Sequence, residues 1–308
     1  MHSPGIQEFG IYRFSSDDDL KPDSDRLTVE EPLEIVVAFR RRGMLVRKPV
    51  SITMRTPGMD RELAVGFLFT EGIVHSSQTI INVEQPPSSV DGLESAPGNT
   101  VVVTLDGEID LGRLDRHFYT SSSCGVCGKA SLEALRINRE IQLPHDSPIH
   151  SRDFLFEVPQ LARRRQSVFD STGGLHAAAI FDSDQRLLRI CEDIGRHNAV
   201  DKIVGGELLN GRTDFSNLLM FVSGRAGFEL IQKSLMTGIP MMAAVGAPST
   251  LSVELARRFG MTLIGFLRGN RFNLYSGIDR IRTVQQSGIT SANSGRLGEN
   301  YGIESRTV

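Results

Sequence analysis

The sequence predicts a three-layer α/β fold, with a mixed, largely parallel sheet covered on both faces and a smaller α+β region before it. In the second half, short apolar segments alternate with helical ones, and glycines set them apart. Such wholly apolar strands are typical of a parallel sheet buried on both faces. In the first half, β-branched segments predominate, which predicts strands with little helix between them.

The N-terminal elements follow from local patterns. Residues 1–30 are polar and predict an extended arm. Asp60 is a suitable cap for a helix that ends near Gly72, and prolines and glycines at 84–99 predict an exposed loop. The remaining predicted elements of this half are strands 34–39, 50–54 and 100–105 and a helix 130–137.

The second half is more regular. Its first predicted elements are a helix 154–169, a hairpin of strands 176–181 and 187–191, and a helix from about Asn198. Strands 218–222 and 241–245 follow, each with a helix after it, and the last predicted strands are 262–266 and 272–275. The predicted organisation is a polar arm (1–30), an α+β region that ends in a cysteine loop and its helix (31–145), an α/β domain (150–277) and a polar tail (278–308).

Composition excludes several classes of protein. The chain has 308 residues, 40% of them hydrophobic, and a formal net charge of −3, which argues against broad binding to nucleic acid. No apolar run approaches the roughly 18 residues of a membrane span. The acidic run 17–19 is unlike the start of a signal peptide. Three cysteines, an odd number, do not make a disulfide framework. We therefore expect a cytoplasmic protein with reduced thiols and neither a membrane nor a nucleic-acid partner.

Cys124 and Cys127 are separated by two residues and flanked by serines and glycines. Cys127 lies just before a predicted helix, with Lys129 beside it; free helix N–H groups and a cation both favour the thiolate. The pair therefore predicts a reactive thiol. A dithiol–disulfide centre, a sulfur or acyl carrier and a plain turn remain open. Zinc and an iron–sulfur cluster are disfavoured because each needs four ligands, and the chain offers one pair.

Polar loops follow three strands of the predicted sheet. Because ligands of such sheets bind beyond the carboxyl ends of the strands, we expect a bound anion at this edge. The side chains that these loops supply are Ser223, Arg225, Ser249, Thr250, Arg268 and Arg271. Ser249 and Thr250 also open a helix, whose free N–H groups suit a phosphate. No Walker A loop and no Gly-x-Gly-x-x-Gly follows a strand, which excludes a standard ATPase and a Rossmann dehydrogenase.

The end of the predicted hairpin adds a dense polar segment, residues 192–202, with His176 close to it. The segment contains two carboxylates beside an arginine and His197, an arrangement that suits either helix capping or an acid–base cluster. We favour the functional interpretation. Cys191 ends an apolar strand and is predicted to be a buried packing residue.

Taken together, these segments resemble the formate dehydrogenase accessory sulfurtransferase family, FdhD. The motifs that carry the resemblance are Ser123-Cys-Gly-Val-Cys-Gly128, Thr172-Gly-Gly-Leu-His176, Glu192-Asp-Ile-Gly-Arg-His-Asn-Ala-Val-Asp-Lys202, Ser223-Gly-Arg225, Gly246-Ala-Pro-Ser249 and Gly265-Phe-Leu-Arg-Gly-Asn-Arg-Phe-Asn-Leu-Tyr275. They cover roughly residues 30 to 277.

The resemblance implies a sulfur carrier with a cytidine deaminase-like fold. It would accept persulfide sulfur from a cysteine desulfurase and pass it to a molybdenum (or tungsten) bis(molybdopterin guanine dinucleotide) cofactor. That step would precede insertion of the cofactor into the catalytic subunit of formate dehydrogenase, and the carrier could act as a homodimer. The deaminase zinc signature is not in the sequence, since no glutamate stands two residues after His176. No resident metal is therefore expected.

The resemblance assigns the persulfide to Cys124, with Cys127 as its partner, whereas the helix-dipole argument alone favours Cys127. The predicted cofactor-binding residues are Phe266, Leu267, Arg268, Gly269, Asn270, Arg271, Ser223, Arg225, Ser249, His176 and His197. A non-catalytic chaperone that shelters the cofactor, with a docking or redox CxxC, is the alternative.

Overall fold

The structure is a computed structural model that describes residues 5–16, 18–90, 93–107, 141, 143–145 and 147–282. Its helices are α1 (Asp60–Thr70), α2 (Arg152–Arg163), α3 (Ser167–Thr172), α4 (Arg196–Leu209), α5 (Phe228–Thr237) and α6 (Thr250–Arg258). Its strands are β1 (Ile6–Ser15), β2 (Asp18–Thr28), β3 (Glu31–Arg41), β4 (Met44–Arg55), β5 (Ile80–Glu84), β6 (Pro87–Val90), β7 (Leu93–Pro97), β8 (Thr100–Leu105), β9 (His150–Ser151), β10 (His176–Phe181), β11 (Leu187–Asp193), β12 (Leu219–Val222), β13 (Met241–Ala244), β14 (Thr262–Arg268), β15 (Arg271–Ser276) and β16 (Ile281–Arg282). Within these ranges, no helix is long and apolar enough to cross a bilayer.

The first half is built on a four-stranded sheet in the order β4-β3-β8-β5. β3 pairs antiparallel with β4 and parallel with β8. Alternate side chains of β3, among them Leu33, Ile35 and Val37, are fully buried on one face, as the two-residue period of a strand requires. Leu63 and Leu68 of α1 belong to the same core, so the helix covers that face.

The second half is a six-stranded sheet in the order β11-β10-β12-β13-β14-β15. The pairings β12–β13 and β13–β14 are parallel, whereas the other three are antiparallel. The sheet is therefore mixed, and the predicted predominance of parallel pairing is wrong. The reason is that the β10–β11 and β14–β15 hairpins turn the chain back at both flanks of the parallel centre.

Side chains of this sheet alternate between two cores. Ala178 and Ile180 of β10 belong to the core that α4, α5 and α6 share. Ala179 and Phe181 belong to a second core, with Phe154 and other residues of α2. Helices thus cover both faces of this sheet. The core on the α4 side also contains α1 and the first sheet, so the two halves share one interior.

Three local features differ from the sequence prediction. Residues 6–28, within the predicted arm, form an antiparallel hairpin. The loop 84–99 contains the short strands β6 and β7. The helix expected over 154–169 is divided into α2 and α3, because the Glu192 carboxylate accepts hydrogen bonds from the N–H groups of Val168 (3.0 Å) and Phe169 (2.8 Å) and so caps a new helix. Because Glu192 is distant in the sequence, the residues around the start of α3 do not indicate that a new helix begins there.

The segment that joins the two halves is fixed by Arg280, which is almost fully buried. Its guanidinium donates hydrogen bonds to the carbonyls of Ser147 (3.1 Å), Gly260 (2.8 Å) and Pro144. β16 pairs in parallel with β9 beside it. Residues 278–282, at the start of the predicted tail, are therefore part of the fold.

The halves meet where α1 crosses α4 at two glycines. A Cβ atom on Gly66 would lie 1.9 Å from the Asp201 carbonyl oxygen, and one on Gly205 would lie 1.9 Å from that of Glu62. Both distances are far inside van der Waals contact. The two backbones therefore touch directly, and the crossing excludes any side chain at either position.

A buried charge network lies beside this crossing. The Lys233 ammonium contacts the carboxylates of Asp201 (3.0 Å) and Glu71 (2.8 Å) and donates to the Thr70 hydroxyl (2.9 Å). Burial alone would lower the pKa of Lys233, but the two carboxylates outweigh it and raise the pKa above its ordinary value. The lysine is therefore charged, and it joins α1, α4 and α5.

We expect the substitution Gly205→Ala to lower the free energy of unfolding by about 3 kcal/mol, because the new methyl group overlaps the α1 backbone. A loss of stability would itself support the contact between the two backbones, since Gly→Ala inside a helix normally stabilises a protein by about 1 kcal/mol. Denaturant titration measures the change. Gly10→Ala is the matched control because its Cβ would meet nothing within 4 Å. A Gly205→Ala protein as stable as the wild type would contradict the backbone contact.

Candidate functional site

The carboxyl edge of the six-stranded sheet brings together the loops that follow β12, β13 and β14. The Gly246 N–H donates to the Gly224 carbonyl (2.9 Å), and the Phe266 N–H donates to the Gly246 carbonyl (3.1 Å). These two bonds place the loops side by side. His176 lies at the same edge because β10 is antiparallel to β12. The edge predicted from sequence is thus a continuous surface.

Close approach at this edge depends on glycine. A Cβ on Gly224 would lie 3.3 Å from the His176 Nδ1 atom, and one on Gly246 would lie 3.0 Å from the Arg225 Cα atom. Neither position leaves room for a side chain without displacing its neighbour. The glycines therefore make a shallow floor of backbone, bordered by His176 and Arg225.

The two serines of the predicted site have structural partners. The Ser223 hydroxyl accepts a hydrogen bond from the Ala177 N–H (2.8 Å) and fixes its loop to β10. The Ser249 hydroxyl caps α6 by accepting from the Ser252 N–H (3.2 Å). Both sequence features are explained by local structure. The Ser223 hydroxyl can still donate its proton to a ligand. The Ser249 hydroxyl donates its proton to the Ser252 hydroxyl (2.6 Å), whose own proton goes to the Ala226 carbonyl (2.9 Å).

The segment 266–271 divides its side chains between solvent and core. Phe266 adopts a left-handed backbone conformation, with φ of 53°, and its ring is 39% exposed. Leu267 is fully buried in the core with α2, so it can meet a ligand through its backbone alone. Arg268, Asn270 and Arg271 are exposed around the turn, and the Arg268 Nε donates to the Val245 carbonyl (3.1 Å).

Helix N-termini reinforce the positive potential of the edge. α4 and α5 follow strands that end there, and they begin after Gly195 and Gly227 without a side-chain cap. Unpaired N–H groups of a helix start attract anions. Together with the exposed Arg225, Arg268 and Arg271, they form a surface suited to phosphate.

His197 and Glu229 form a partly exposed ion pair between the starts of α4 and α5, with 3.7 Å from Nε2 to Oε2. The nearby His197 imidazole lowers the pKa of the Glu229 carboxyl, although 3.7 Å is too long for a hydrogen bond between Nε2 and Oε2. Burial lowers the pKa of His176, and the charges of Arg196 and His197 add to the effect. These shifts favour the neutral form of His176 and the ionised form of Glu229 at physiological pH.

Most of the polar segment 192–202 has a structural role, which corrects the functional interpretation favoured from sequence. The buried Asp193 carboxylate accepts from the Lys202 ammonium (2.7 Å) and from the Asn198 amide (3.0 Å). Lys202 also donates to the Thr56 carbonyl (2.8 Å), and Asn198 donates to that of Met54 (2.8 Å). These contacts hold the end of β4 against α4.

Arg196 and His197 are the members of that segment that remain partly exposed at the edge. Arg196 was part of the polar cluster predicted from sequence but was not among the predicted cofactor-binding residues, and Glu229 was not predicted at all. The position of Arg196 directly before His197 was an available signal. The Glu229 contact was not, because 32 residues separate it from His197.

Cys124, Cys127 and the helix predicted over 130–137 lie outside the described residues, so the reactive thiol stays a prediction. Cys191 is buried, as predicted, and burial raises the pKa of its thiol to about 12. It therefore has no thiolate character at physiological pH. Among the described residues, no group of three or more His, Cys, Asp or Glu side chains is arranged to hold a metal ion.

Known proteins share this fold or much of this sequence. A crystal structure of a formate dehydrogenase accessory protein from Desulfotalea psychrophila superposes with a TM-score of 0.68, covering 91% of this chain and 100% of the other at 22% identity. That likeness shows that the two chains share a fold. Residues 28–282 match the model of the FdhD/NarQ family. The chain belongs to the FdhD/NarQ family, and the resemblance predicted from sequence is confirmed.

Relatives in this family carry a functional name. A Streptomyces coelicolor protein named sulfur carrier protein FdhD is 46% identical over 259 residues, which cover 83% of this chain and 89% of the relative. A Saccharolobus solfataricus protein of the same name is 40% identical over 276 residues, covering 90% and 98%. The cytidine deaminase-like description of the fold stays a prediction.

The two roles within the segment 192–202 can be separated by mutation. We expect Lys202→Met to lower the free energy of unfolding by about 3–5 kcal/mol, because it leaves the Asp193 carboxylate buried without its cation. Arg196→Met, on the exposed side, should change stability by less than about 0.5 kcal/mol. Thermal and denaturant unfolding of both variants test this. Equal losses would contradict the division of roles.

Proposed function

We propose that this protein is a sulfur carrier that accepts persulfide sulfur from a cysteine desulfurase and transfers it to a molybdenum (or tungsten) bis(molybdopterin guanine dinucleotide) cofactor. The modified cofactor then enters the catalytic subunit of formate dehydrogenase, and the transfer takes place in the cytoplasm. What supports the proposal is an edge with three exposed arginines and two uncapped helix starts, in a chain whose family relatives are named sulfur carriers. The CxxC supplies the sulfur chemistry.

The loading step is a thiol–persulfide exchange. The Cys124 thiolate attacks the outer sulfur of the desulfurase persulfide, forms a new S–S bond and releases the desulfurase cysteine as a thiolate. The result is a Cys124 persulfide. No net oxidation occurs, because one S–S bond forms as another breaks.

The delivery step uses the second cysteine. The Cys127 thiolate attacks the inner sulfur of the Cys124 persulfide, which forms the Cys124–Cys127 disulfide and releases hydrosulfide. Hydrosulfide then replaces an oxygen ligand of the metal, and that oxygen leaves as hydroxide or water. A cellular thiol reductant restores the two cysteines.

The carboxyl edge holds the substrate cofactor through its dinucleotide. The guanidinium groups of Arg225, Arg268 and Arg271 pair with phosphate oxygens, and the starts of α4 and α5 offer N–H groups. The edge thus immobilises the cofactor by a part that does not react. Because the dinucleotide is held, the metal end of the cofactor is free to react with the sulfur that the CxxC releases.

Incubation with a cysteine desulfurase and free cysteine should add one sulfur atom to the protein, because the Cys124 thiolate captures sulfane sulfur. Intact mass spectrometry detects the addition, and dithiothreitol should remove it. Cys124→Ala should abolish it, whereas Cys191→Ala, the control in a buried thiol, should not. No added mass with an active desulfurase would contradict the carrier and favour the sheltering chaperone.

Arg271→Ala should weaken the binding of GDP, used as a fragment of the cofactor, by about tenfold to a hundredfold, since it removes a charged hydrogen bond to phosphate. Calorimetric titration measures the affinity. Persulfide loading should stay at the wild-type level. Arg186→Ala, in the turn at the opposite edge of the sheet, is the matched control. Parallel loss of GDP binding and loading would indicate a folding defect and count against the assignment.

A further inference from the structure

The hairpin that joins β3 to β4 carries a dense cluster of positive charge. Residues 40–48 contain four arginines and one lysine, and no aspartate or glutamate occurs between residues 35 and 59. The arginines are all exposed, and among the residues that the structure describes none of them forms an ion pair. We call these four residues, Arg40, Arg41, Arg42 and Arg47, the basic tip. The sulfur chemistry and the carboxyl edge described above make no use of it.

The geometry of the turn does not account for the cations. Arg42 and Gly43 have positive φ angles of 50° and 80°, as the type I′ turn of a two-residue hairpin loop requires. Asparagine, aspartate and glycine are the residues that such a turn prefers at its first central position. Arg42 therefore stands where the local backbone favours another residue. Contact with another molecule explains an arginine there better than the hairpin does.

An exposed apolar strip continues from the turn along β4. Leu45, Ile52 and Met54 lie opposite alternate residues of β3, so they project from the sheet face that points away from α1. Together with Met44 at the turn they are between 47% and 70% exposed. β4 is also an edge strand, and no described strand pairs with its outer side. We call Met44, Leu45, Ile52 and Met54 the apolar strip.

The basic tip lies beside the point where the CxxC segment leaves the first sheet. β8 runs parallel to β3, with Thr104 opposite Ala38, and it ends at Leu105. The two strands therefore end side by side, and Cys124 follows β8 in the sequence. A partner on the basic tip would contact the protein next to the start of the segment that carries the reactive thiols.

We propose that the basic tip and the apolar strip are the docking surface for the protein that donates sulfur, an inference that rests on the proposed function. The surface fits a partner whose contact patch is acidic around an apolar centre. The arginines attract and orient that patch, whereas the apolar strip is buried on contact. Docking thus holds the donor persulfide close to the CxxC segment, where the exchange described above takes place.

A protein fits this surface better than a nucleic acid or a bilayer. Methionine and arginine are enriched in protein interfaces. A nucleic acid offers mainly phosphates to a basic surface and would leave the apolar strip in water. A bilayer could take up Met44 and Leu45 at the turn, but Ile52 lies about 25 Å farther along the strand. A broad protein surface contacts the whole strip.

The test measures how fast a purified cysteine desulfurase loads the full-length protein with sulfur at limiting protein concentration. Arg41→Gln/Arg42→Asn removes two charges and keeps the turn, since asparagine suits the left-handed position. Its second-order rate constant should be about tenfold below that of the wild type, because steering of the donor is lost. Arg164→Gln/Arg165→Gln, two exposed arginines after α2, makes the same change in charge and should keep the wild-type rate.

Salt and a small donor separate docking from chemistry. The wild-type advantage over Arg41→Gln/Arg42→Asn should shrink as NaCl rises from about 0.01 M to about 1 M, which shortens the Debye length from about 30 Å to about 3 Å. Glutathione persulfide, which has no docking surface, should load both proteins at equal rates. Ile52→Ser should slow loading by the desulfurase about fivefold and leave its salt dependence unchanged, because only apolar contact is removed.

Four outcomes would overturn the inference. Wild-type loading of Arg41→Gln/Arg42→Asn by the desulfurase would place docking elsewhere and leave the proposed function intact. An equal loss in Arg164→Gln/Arg165→Gln would indicate a general effect of net charge. Binding to phosphatidylserine vesicles that only Arg41→Gln/Arg42→Asn loses, with unchanged loading, would reassign the surface to a membrane. Failure of both donors to load the wild type would contradict the sulfur carrier itself, and the docking surface with it.

Discussion

The backbone contact between α1 and α4 at Gly66 and Gly205 is the constraint on which the rest of the structure depends. It lets the two helices approach so closely that a single hydrophobic core packs against both sheets. Residues 198–208 of α4 are all buried as a result. Because α4 starts at the carboxyl edge, the same crossing also fixes the position of Arg196 and His197 at the candidate site.

Buried charges around α4 add specificity to this packing. Asp193 with Lys202, and Asp201 with Lys233, are almost fully desolvated pairs. The desolvation of such ions largely offsets their attraction, so they contribute little net stability compared with well-packed apolar residues. A wrong register of α1 or β4 against α4 would, however, leave them unpaired at high cost. They therefore favour a single arrangement of the two halves.

The candidate site is assembled on this rigid frame from exposed parts. Its fixed components are the glycine floor, the helix starts and the strained Phe266, whereas the arginines at its rim remain in solvent. An overall charge of −3 would repel a polyphosphate, so the local cluster of cations determines attraction to this edge.

The sequence by itself predicted a reactive CxxC, most of the described strands and helices, the polar edge of the second sheet and the family. These features depend on local patterns: periodicity, caps, glycines and motif spacing. Three results required the tertiary structure. Glu192 divides a predicted helix, because it caps α3 from 24 residues away. The hairpins at the flanks of the second sheet make that sheet mixed. Asp193 and Lys202, which resemble part of an acid–base motif in the sequence, form a buried ion pair with a structural role. The physical reason is the same in each case, since a carboxylate or a strand edge finds its partner by spatial proximity, which sequence spacing does not encode.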